Sequence, residues 1–338
     1  MVLEPGKQTG PKDKSFCIVF SYYFFFFYQS MNALMLVNPE PITSKLKVNN
    51  DVKRRRSALT TVDRQIAKGN YKLAVSLLKQ LQRQPPPTAL LGFASAKQVP
   101  RGVSSVEELH LNVTETYAIQ SLFDSILDLI NISLQSSALE EASVIDEDGD
   151  LYLEDDKIEH EQVLQHEAGH FLVGYLLGVL PKQYKFSSIE DVNQDETIDA
   201  SVKFVGFDFL TELDDVVLLK KNLDEVKPGH RTNKQKLSST VLGKFACVVV
   251  GGLVTEHLVY GYSKGHHSDV EKLDRVVRWL QLPEDEANKL IRWAVLNTLV
   301  ILRRHDEARS MLVEAMAHGR SIGYCIDAIE SSLNRQDI

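Results

Sequence analysis

The stretch that decides the fold of this chain reads Gln-His-Glu-Ala-Gly-His-Phe at positions 165–171 and contains the pattern H-E-x-x-H. Apolar residues flank it between Val163 and Leu176, at the spacing of a helix with one buried side. Side chains four positions apart lie on one face of a helix, so the imidazoles of His166 and His170 can reach the same ion. The stretch therefore predicts a helix that carries two metal ligands.

Glu167 completes this pattern. When H-E-x-x-H lies on a helix, it is typical of zinc peptidases, in which the two histidines bind Zn²⁺ and the glutamate is the general base. The glutamate takes a proton from the attacking water and passes it to the leaving amine. The chain has 10 histidines, so the pattern can also arise by chance. In that case His166 and His170 would be ordinary core or surface residues.

A zinc peptidase site needs a third protein ligand, and two familiar extensions of the motif do not supply one. The metzincin extension requires a glycine and a histidine where this chain has Val173 and Leu176. The thermolysin-like extension requires an aspartate four residues after a glutamate, but Glu256 is followed at that spacing by Tyr260. The metzincin class is therefore excluded, and the thermolysin-like match is poor.

Three short motifs in sequence order resemble the peptidase domain of FtsH-type zinc metalloproteases. They are His-Glu-Ala-Gly-His at 166–170, Gly-Gly-x-x-x-Glu at 251–256 and Ser-Asp at 268–269. The resemblance covers roughly residues 159–332, about half of the chain. It implies a helical zinc-peptidase domain with Zn²⁺ as cofactor, a polypeptide substrate, and Asp269 as the third metal ligand.

The whole chain is most similar to a group of plant FtsH-like, stress-associated plastid proteins. The similarity rests on segments such as 67–72, 96–100 and 293–298. It implies a location in the chloroplast. The segment 203–207 stands where the family has a strand that aligns the substrate, although an ordinary edge strand is the alternative.

The chain also departs from the FtsH pattern. It contains no G-x-x-x-x-G-K-[ST] motif, so no ATPase of that kind is encoded in it, and we expect a separate FtsH-type ATPase complex as a partner.

The family motif before Asp269 is shortened in this chain, and either His266 or His267 could replace Asp269 as a ligand. Asp269 could also be a plain first-turn acid beside a capping Ser268. Glu256 could orient a ligand histidine or be a solvated surface acid.

Composition excludes two other classes of site. A net charge of −8 without a broad basic face argues against binding to nucleic acid. Cys17, Cys247 and Cys325 are odd in number and lack any CxxC spacing, which excludes a thiolate zinc site and a disulfide framework. A reducing compartment is the simpler interpretation.

The chain divides into four predicted regions. Residues 1–58 are an extension with a basic run, compatible with a transit peptide, a nuclear signal or a disordered basic arm. Residues 59–135 are a helical region with a proline-rich linker, residues 136–158 an acidic linker, and residues 159–334 the FtsH-like metallopeptidase domain. The aromatic-rich segment 16–37 leaves membrane association open.

The predicted fold class is mainly α, a helical zinc-peptidase domain with a small β insert, preceded by a disordered or targeting amino-terminal region. The β insert is expected within residues 182–210. An amphipathic helix is expected at 62–82, and the other helices are expected at about 121–132, 159–179, 237–260, 268–281, 285–304, 306–317 and 321–333.

The sequence is compatible with two main functions. The first is a zinc-dependent metalloendopeptidase, related to the ATP-dependent FtsH proteases but without its own ATPase. The second is a non-catalytic FtsH-like regulatory or binding subunit, a pseudoprotease. A helical scaffold without any metal is the weaker third alternative.

Overall fold

A computed structural model of the chain describes residues 42–86, 88–139, 153–186, 200–210 and 237–333. The chain divides into two units, Met1–Asn49 and Asn50–Ile338. Of the first unit, the structure describes residues 42–49, which are helical. All sites discussed below lie in the second unit. The aromatic-rich segment 16–37 lies outside the described residues.

The described residues are mainly helical, which confirms the coarse fold class. The helices are α1 (Ile42–Ala67), α2 (Tyr71–Gln82), α3 (Gln98–Arg101), α4 (Val113–Leu139), α5 (Leu153–Leu176), α6 (Ser239–Val249), α7 (Gly251–Tyr260), α8 (His266–Leu280), α9 (Glu284–Arg304), α10 (Asp306–Ala317) and α11 (Ile322–Ser332). A 3₁₀ turn, Val106–Leu109, precedes α4.

Helix α5 is the centre of the fold, and its second half is buried on every side. Phe171, Leu172 and Tyr175 are all fully buried, and the helix packs against α6, α7 and α10. The approach to α7 is close at Gly169, where an added Cβ would lie 2.5 Å from the carbonyl oxygen of Gly251. A side chain at 169 would therefore push the two helices apart.

The β insert is a two-stranded antiparallel sheet within the part of the chain described here. Strand β1 (Pro181–Phe186) pairs with β2 (Ala200–Phe204), with Phe186 opposite Ala200. The ring of Phe204 fills the space beside Gly174 of α5, where an added Cβ would lie 2.3 Å from it. The expected small β insert is therefore confirmed.

Several predicted helix boundaries are wrong. Helix α5 begins at Leu153, inside the expected acidic linker 136–158, and it ends at Leu176 rather than near residue 179. At the other end of that linker, residues 136–139 are the last turn of α4. Acidic side chains near a helix amino terminus are favoured by the helix dipole, so an acidic run can begin a helix as well as form a linker.

The expectation of a disordered or targeting arm is wrong for residues 50–58. They belong to α1, and the Arg55 guanidinium is buried against the Asp327 carboxylate of α11 at 2.7 Å. Arg56 reaches the other oxygen of Asp327 at 2.6 Å. Residues 1–41 lie outside the described part, so a transit peptide there and the four domain boundaries stay predictions.

The amphipathic segment 62–82 is also divided differently from the expectation. It is shared between the end of α1 and the whole of α2, which are separated by a turn at Gly69. Gly69 has a φ of +73°, which glycine adopts at little cost. The predicted helical periodicity of the segment is therefore confirmed. The break between α1 and α2 occurs at a glycine, which can adopt the positive φ that the turn requires.

One helical stretch is long and apolar enough to cross a membrane, Ser239–Tyr260, which comprises α6 and α7. Within the described residues, 78% of its apolar window is buried inside the protein. That burial is what the core helices of a packed domain show. The stretch also contributes several residues of the site described next.

Candidate metal centre

Three side chains from two distant segments meet in the core. His166 and His170 come from α5, and Asp269 comes from the first turn of α8. The Oδ2 atom of Asp269 lies 3.0 Å from Nε2 of His166 and 3.1 Å from Nε2 of His170. The two Nε2 atoms are 3.0 Å apart. These three residues therefore form a group that could bind a metal ion.

The other ring nitrogen of each histidine is held by a hydrogen bond. Nδ1 of His170 donates to the backbone carbonyl of Val248 at 2.7 Å. Nδ1 of His166 donates to Oε1 of Glu256 at 2.5 Å. Because a carbonyl or carboxylate oxygen can only accept here, the proton of each neutral imidazole lies on Nδ1. Both Nε2 atoms then present lone pairs to Asp269.

This arrangement fits a bound cation. When both rings are neutral, the two Nε2 lone pairs and Asp269 Oδ2 are all acceptors, and no other described residue donates a hydrogen bond to that buried oxygen. Three acceptors at this spacing repel one another unless a positive charge lies among them. Tetrahedral ligands about 2 Å from Zn²⁺ lie roughly 3.3 Å from one another, close to the spacing seen here.

The electrostatics of the site also favour positive charge. Burial alone would lower the pKa of His166, but the carboxylates of Asp269 and Glu256 outweigh it and raise that pKa to about 10. Burial would likewise raise the pKa of Asp269, yet the imidazoles of His170 and His166 hold it well below its usual range. Asp269 therefore stays ionised, and the three atoms favour a positive charge among them, supplied by a second proton on His166 or by a metal ion.

Glu256 is a buried part of the site, so its interpretation as a solvated surface acid is wrong. Only 1% of the residue is exposed. Its Oε2 accepts hydrogen bonds from Nε2 of Gln162 at 2.6 Å and from the backbone N–H of Lys264 at 2.7 Å. With Oε1 on His166, the carboxylate fixes both the tautomer and the orientation of that ring.

Two glycines make room for the His166 ring. A Cβ added at Gly252 would lie 2.3 Å from His166 Nε2, and one added at Gly265 would lie 3.0 Å from His166 Nδ1. The sequence interpretation of Gly251 and Gly252 as a means of close helix packing holds for Gly251, which lies against the backbone of Gly169. For Gly252 it is incomplete, because that position also determines where a ligand ring can lie.

Glu167 lies beside the three converging side chains and is 6% exposed. Its Oε2 atom is buried and accepts no hydrogen bond from the described residues. A carboxylate oxygen in that position is costly unless a ligand or solvent meets it. Glu167 Oε2 therefore joins Asp269 Oδ2 and Gln162 Oε1 as a buried acceptor at this site to which no described residue donates a hydrogen bond.

The alternative histidine ligands point elsewhere. Nδ1 of His266 lies 3.1 Å from the carbonyl oxygen of Ser263, and Nδ1 of His267 lies 3.4 Å from Oγ of Ser133 on α4. The structure brings Asp269, and neither of these two, to the histidine pair. Asp269 is at the same time a first-turn acid, and its Oδ1 lies 3.1 Å from Nζ of Lys272.

Sequence reasoning missed the second layer of contacts around the ligands. Gln162 is four residues before His166 and therefore on the same helical face, which is a signal that could have been used. The Val248 carbonyl and the Lys264 amide are backbone groups, so nothing in the residue types marks them.

Comparison of the chain with protein-family models, with curated proteins and with solved structures gives no match.

Proposed function

We propose that this chain is a zinc-dependent metalloendopeptidase in which His166, His170 and Asp269 hold the metal and Glu167 is the general base. The observation that carries the proposal is the convergence of His166 Nε2, His170 Nε2 and Asp269 Oδ2 within 3.1 Å of one another, next to the unpartnered carboxylate oxygen of Glu167. The resemblance to FtsH-type peptidase domains supports the same assignment.

The donor set suits Zn²⁺. Two imidazoles and one carboxylate are ligands that zinc accepts readily, and a catalytic zinc site keeps a fourth position open. When bound, Zn²⁺ supplies a Lewis acid that polarises the scissile carbonyl and lowers the pKa of water. Glu256 keeps His166 in the tautomer that offers its Nε2 lone pair.

Glu167 performs the proton transfers in this proposal. Its free Oε2 accepts a proton from the attacking water, and the protonated carboxyl then donates it to the leaving amine nitrogen. The low exposure of the group strengthens these electrostatic interactions, because little water competes for the carboxylate. The resemblance implies that segment 203–207 aligns an extended substrate by backbone pairing, and its first two residues are the end of β2.

The wider setting follows from the resemblance and belongs to the same proposal. The chain would work in the chloroplast on unfolded or exposed polypeptide segments, beside a separate FtsH-type ATPase complex that unfolds its substrates. Membrane association would come through residues 16–37. We do not expect nucleic acid as a partner, because the net charge is −8.

A second candidate is a non-catalytic, FtsH-like binding or regulatory subunit that retains the metal. It is favoured by the burial of the site, since the three ligand candidates and Glu167 are each exposed by no more than 7% within the described residues. A polypeptide needs access to the metal to be cleaved, whereas a structural metal does not.

Zinc-dependent cleavage of an unfolded protein tests the proposal. We expect purified full-length chain to cleave a permanently unfolded substrate, a chelator to stop cleavage, and added Zn²⁺ to restore it. A chain that contains zinc but leaves every unfolded substrate intact would favour the non-catalytic subunit. A chain without zinc would contradict both candidates.

A further inference from the structure

A groove lies outside the metal centre, between α4 and the carboxyl-terminal end of α7. Its volume is about 690 Å³. Tyr117, Asp124, Asp128 and Ile132 line it from α4, and His257 and Ser263 line it from α7 and the loop that follows. None of these residues has a role in the proposed hydrolysis.

The groove carries negative charge without a matching positive charge. Asp124 and Asp128 are both exposed on α4, one helical turn apart. Both oxygens of Asp124 accept from Nε2 of Gln120, at 2.9 Å each. No lysine or arginine is among the described residues that line the groove. The groove is therefore complementary to a cation.

The floor of the groove adds two polar groups that the fold leaves available. His257 is 5% exposed, and its Nδ1 donates to the Leu253 carbonyl at 3.0 Å, so its Nε2 is an acceptor. Burial lowers the pKa of His257, which keeps the ring neutral. Ser263 is 9% exposed, and its buried hydroxyl has no hydrogen-bond partner among the described residues.

The walls of the groove are partly apolar and aromatic. Tyr117 is 76% exposed, Ile132 60% and Tyr262 45%. Exposed apolar groups beside carboxylates suit a ligand with a long apolar stem and a charged head, and lysine and arginine side chains have that form. Tyrosine rings also attract ammonium and guanidinium groups through their faces.

We propose that this groove is a docking site for lysine or arginine side chains of a polypeptide. Asp124 and Asp128 would pair with the cationic head, Ser263 and His257 would accept its remaining N–H groups, and Tyr117, Tyr262 and Ile132 would cover the stem. The choice of a polypeptide as the source of the cation rests on the proposed function, but binding itself requires no hydrolysis.

The groove lies next to the contacts that organise the metal centre. The carbonyl of Ser263 faces Nδ1 of His266, and the next residue, Lys264, donates its N–H to Glu256. His257 directly follows Glu256 on α7. A bound basic segment would therefore lie beside the loop that fixes the His166 ring.

Fluorescence anisotropy with a labelled peptide tests the proposal. The probe is an unstructured peptide with several arginines among serines and glycines, and its partner probe has citrulline in place of arginine. Full-length chain carrying Glu167→Gln and saturated with Zn²⁺ is used so that the peptide stays intact. We expect the arginine peptide to bind at least roughly tenfold more tightly than the citrulline peptide.

Two variants and a control locate the binding. Asp124→Asn with Asp128→Asn should weaken binding of the arginine peptide by about tenfold. Ser125→Trp, which places a large ring in the groove from an exposed position, should weaken it by a similar factor. The control, Asp285→Asn with Glu286→Gln, removes the same charge from exposed positions on α9 and should leave the affinity unchanged.

Equal affinity for the two peptides would overturn the proposal, as would equal weakening by the groove variants and the control. Failure of the arginine peptide to bind at all would overturn it too. None of these results bears on the metal centre, since no cleavage is measured. Absence of cleavage by the wild type, with binding intact, would instead contradict the proposed function and leave the groove in place.

Discussion

The chain buries two clusters of carboxylates, and they differ in how their oxygens are used. The terminal polar cluster, formed by Arg55, Asp63, Asp327 and Glu330, joins α1 to α11. The second cluster, called the metal centre after its proposed function, joins α5 to α8 through His166, His170 and Asp269, with Glu167 and Glu256 beside them. Both clusters connect segments that are far apart in the sequence, and all their residues are buried except Asp63, which is half-buried.

In the terminal polar cluster the carboxylates face donors. Glu330 accepts from the backbone N–H groups of Leu91 and Gly92 at 2.6 and 2.8 Å, and from the Tyr175 hydroxyl at 2.6 Å. Asp327 holds the Arg55 guanidinium, and Asp63 accepts from Gly323 and Ser321. Such a cluster needs nothing from outside the fold.

Among the carboxylates of the metal centre, Glu256 alone has both oxygens hydrogen-bonded by the described residues. Asp269 Oδ2 and Glu167 Oε2 accept no hydrogen bond from the described residues, although both atoms are buried. A fold tolerates such acceptors where a ligand meets them. The carboxylates of the two clusters therefore differ in how many hydrogen-bond donors they meet, and not in burial or charge.

The largest expected effect concerns Glu167, which is the general base in the proposed function. Glu167→Gln removes the proton acceptor while keeping the size of the side chain. We expect cleavage of an unfolded substrate to fall by about 10²–10⁴-fold, the usual contribution of a general base. Zinc content, measured by elemental analysis, should stay as in the wild type because Glu167 is not a ligand. Equal activity in the two proteins would remove the enzyme interpretation.

The next largest effect is on stability and concerns Asp327. Asp327→Asn removes the negative charge that faces the buried guanidinium of Arg55, so we expect the free energy of unfolding to fall by about 3 kcal/mol. Denaturant unfolding measures this, with Asp51→Asn as the control. Asp51 pairs with an Arg54 side chain that is 77% exposed, so its loss should cost about 0–1 kcal/mol. If Asp327→Asn loses zinc under conditions in which the variant is still folded, the two clusters do not act independently.

A smaller effect is expected from Glu256, the satisfied carboxylate of the metal centre. Glu256→Gln weakens the hydrogen bond that orients His166, so affinity for Zn²⁺ should fall by about 10–100-fold. Competition with a chromophoric chelator measures that affinity. Glu330→Gln makes the same chemical change in the terminal polar cluster and should leave zinc affinity unaltered. If both variants bind zinc as the wild type does, Glu256 has no part in orienting the ligand.

The smallest effect is expected at the two histidines that sequence reasoning left open. His266→Ala and His267→Ala each remove a ring that faces Ser263 or Ser133 instead of the metal centre. We expect unchanged zinc stoichiometry and stability within about 0.5 kcal/mol of the wild type. Loss of zinc in either variant would transfer the third ligand from Asp269 to that histidine.

The local part of the site could be predicted from the sequence. The positions of His166, Glu167 and His170 follow from the geometry of one helix turn, and the order of motifs was enough to nominate Asp269. The burial of Glu256 could not be predicted, because it depends on the Lys264 backbone and on Gln162 from another helix.

The amino-terminal region shows the same limit for the fold. A basic run such as 53–56 has the composition of a disordered arm, and its folded state depends on a partner 272 residues away. The acidic run before α5 was ambiguous for a different reason, since charge favours both solvated linkers and the first turns of helices. Local periodicity predicted where most of the helices lie but not all of their ends, and it predicted one helix at 237–260 where the structure has α6 and α7. It carries no information about polar pairs between distant segments.

Diffraction from crystals of the zinc-treated protein, recorded on both sides of the zinc absorption edge, tests the central claim most directly. We expect one strong anomalous peak within bonding distance of His166 Nε2, His170 Nε2 and Asp269 Oδ2. Crystals in which those three atoms converge without an anomalous peak, or in which Asp269 lies away from the two imidazoles, would contradict it.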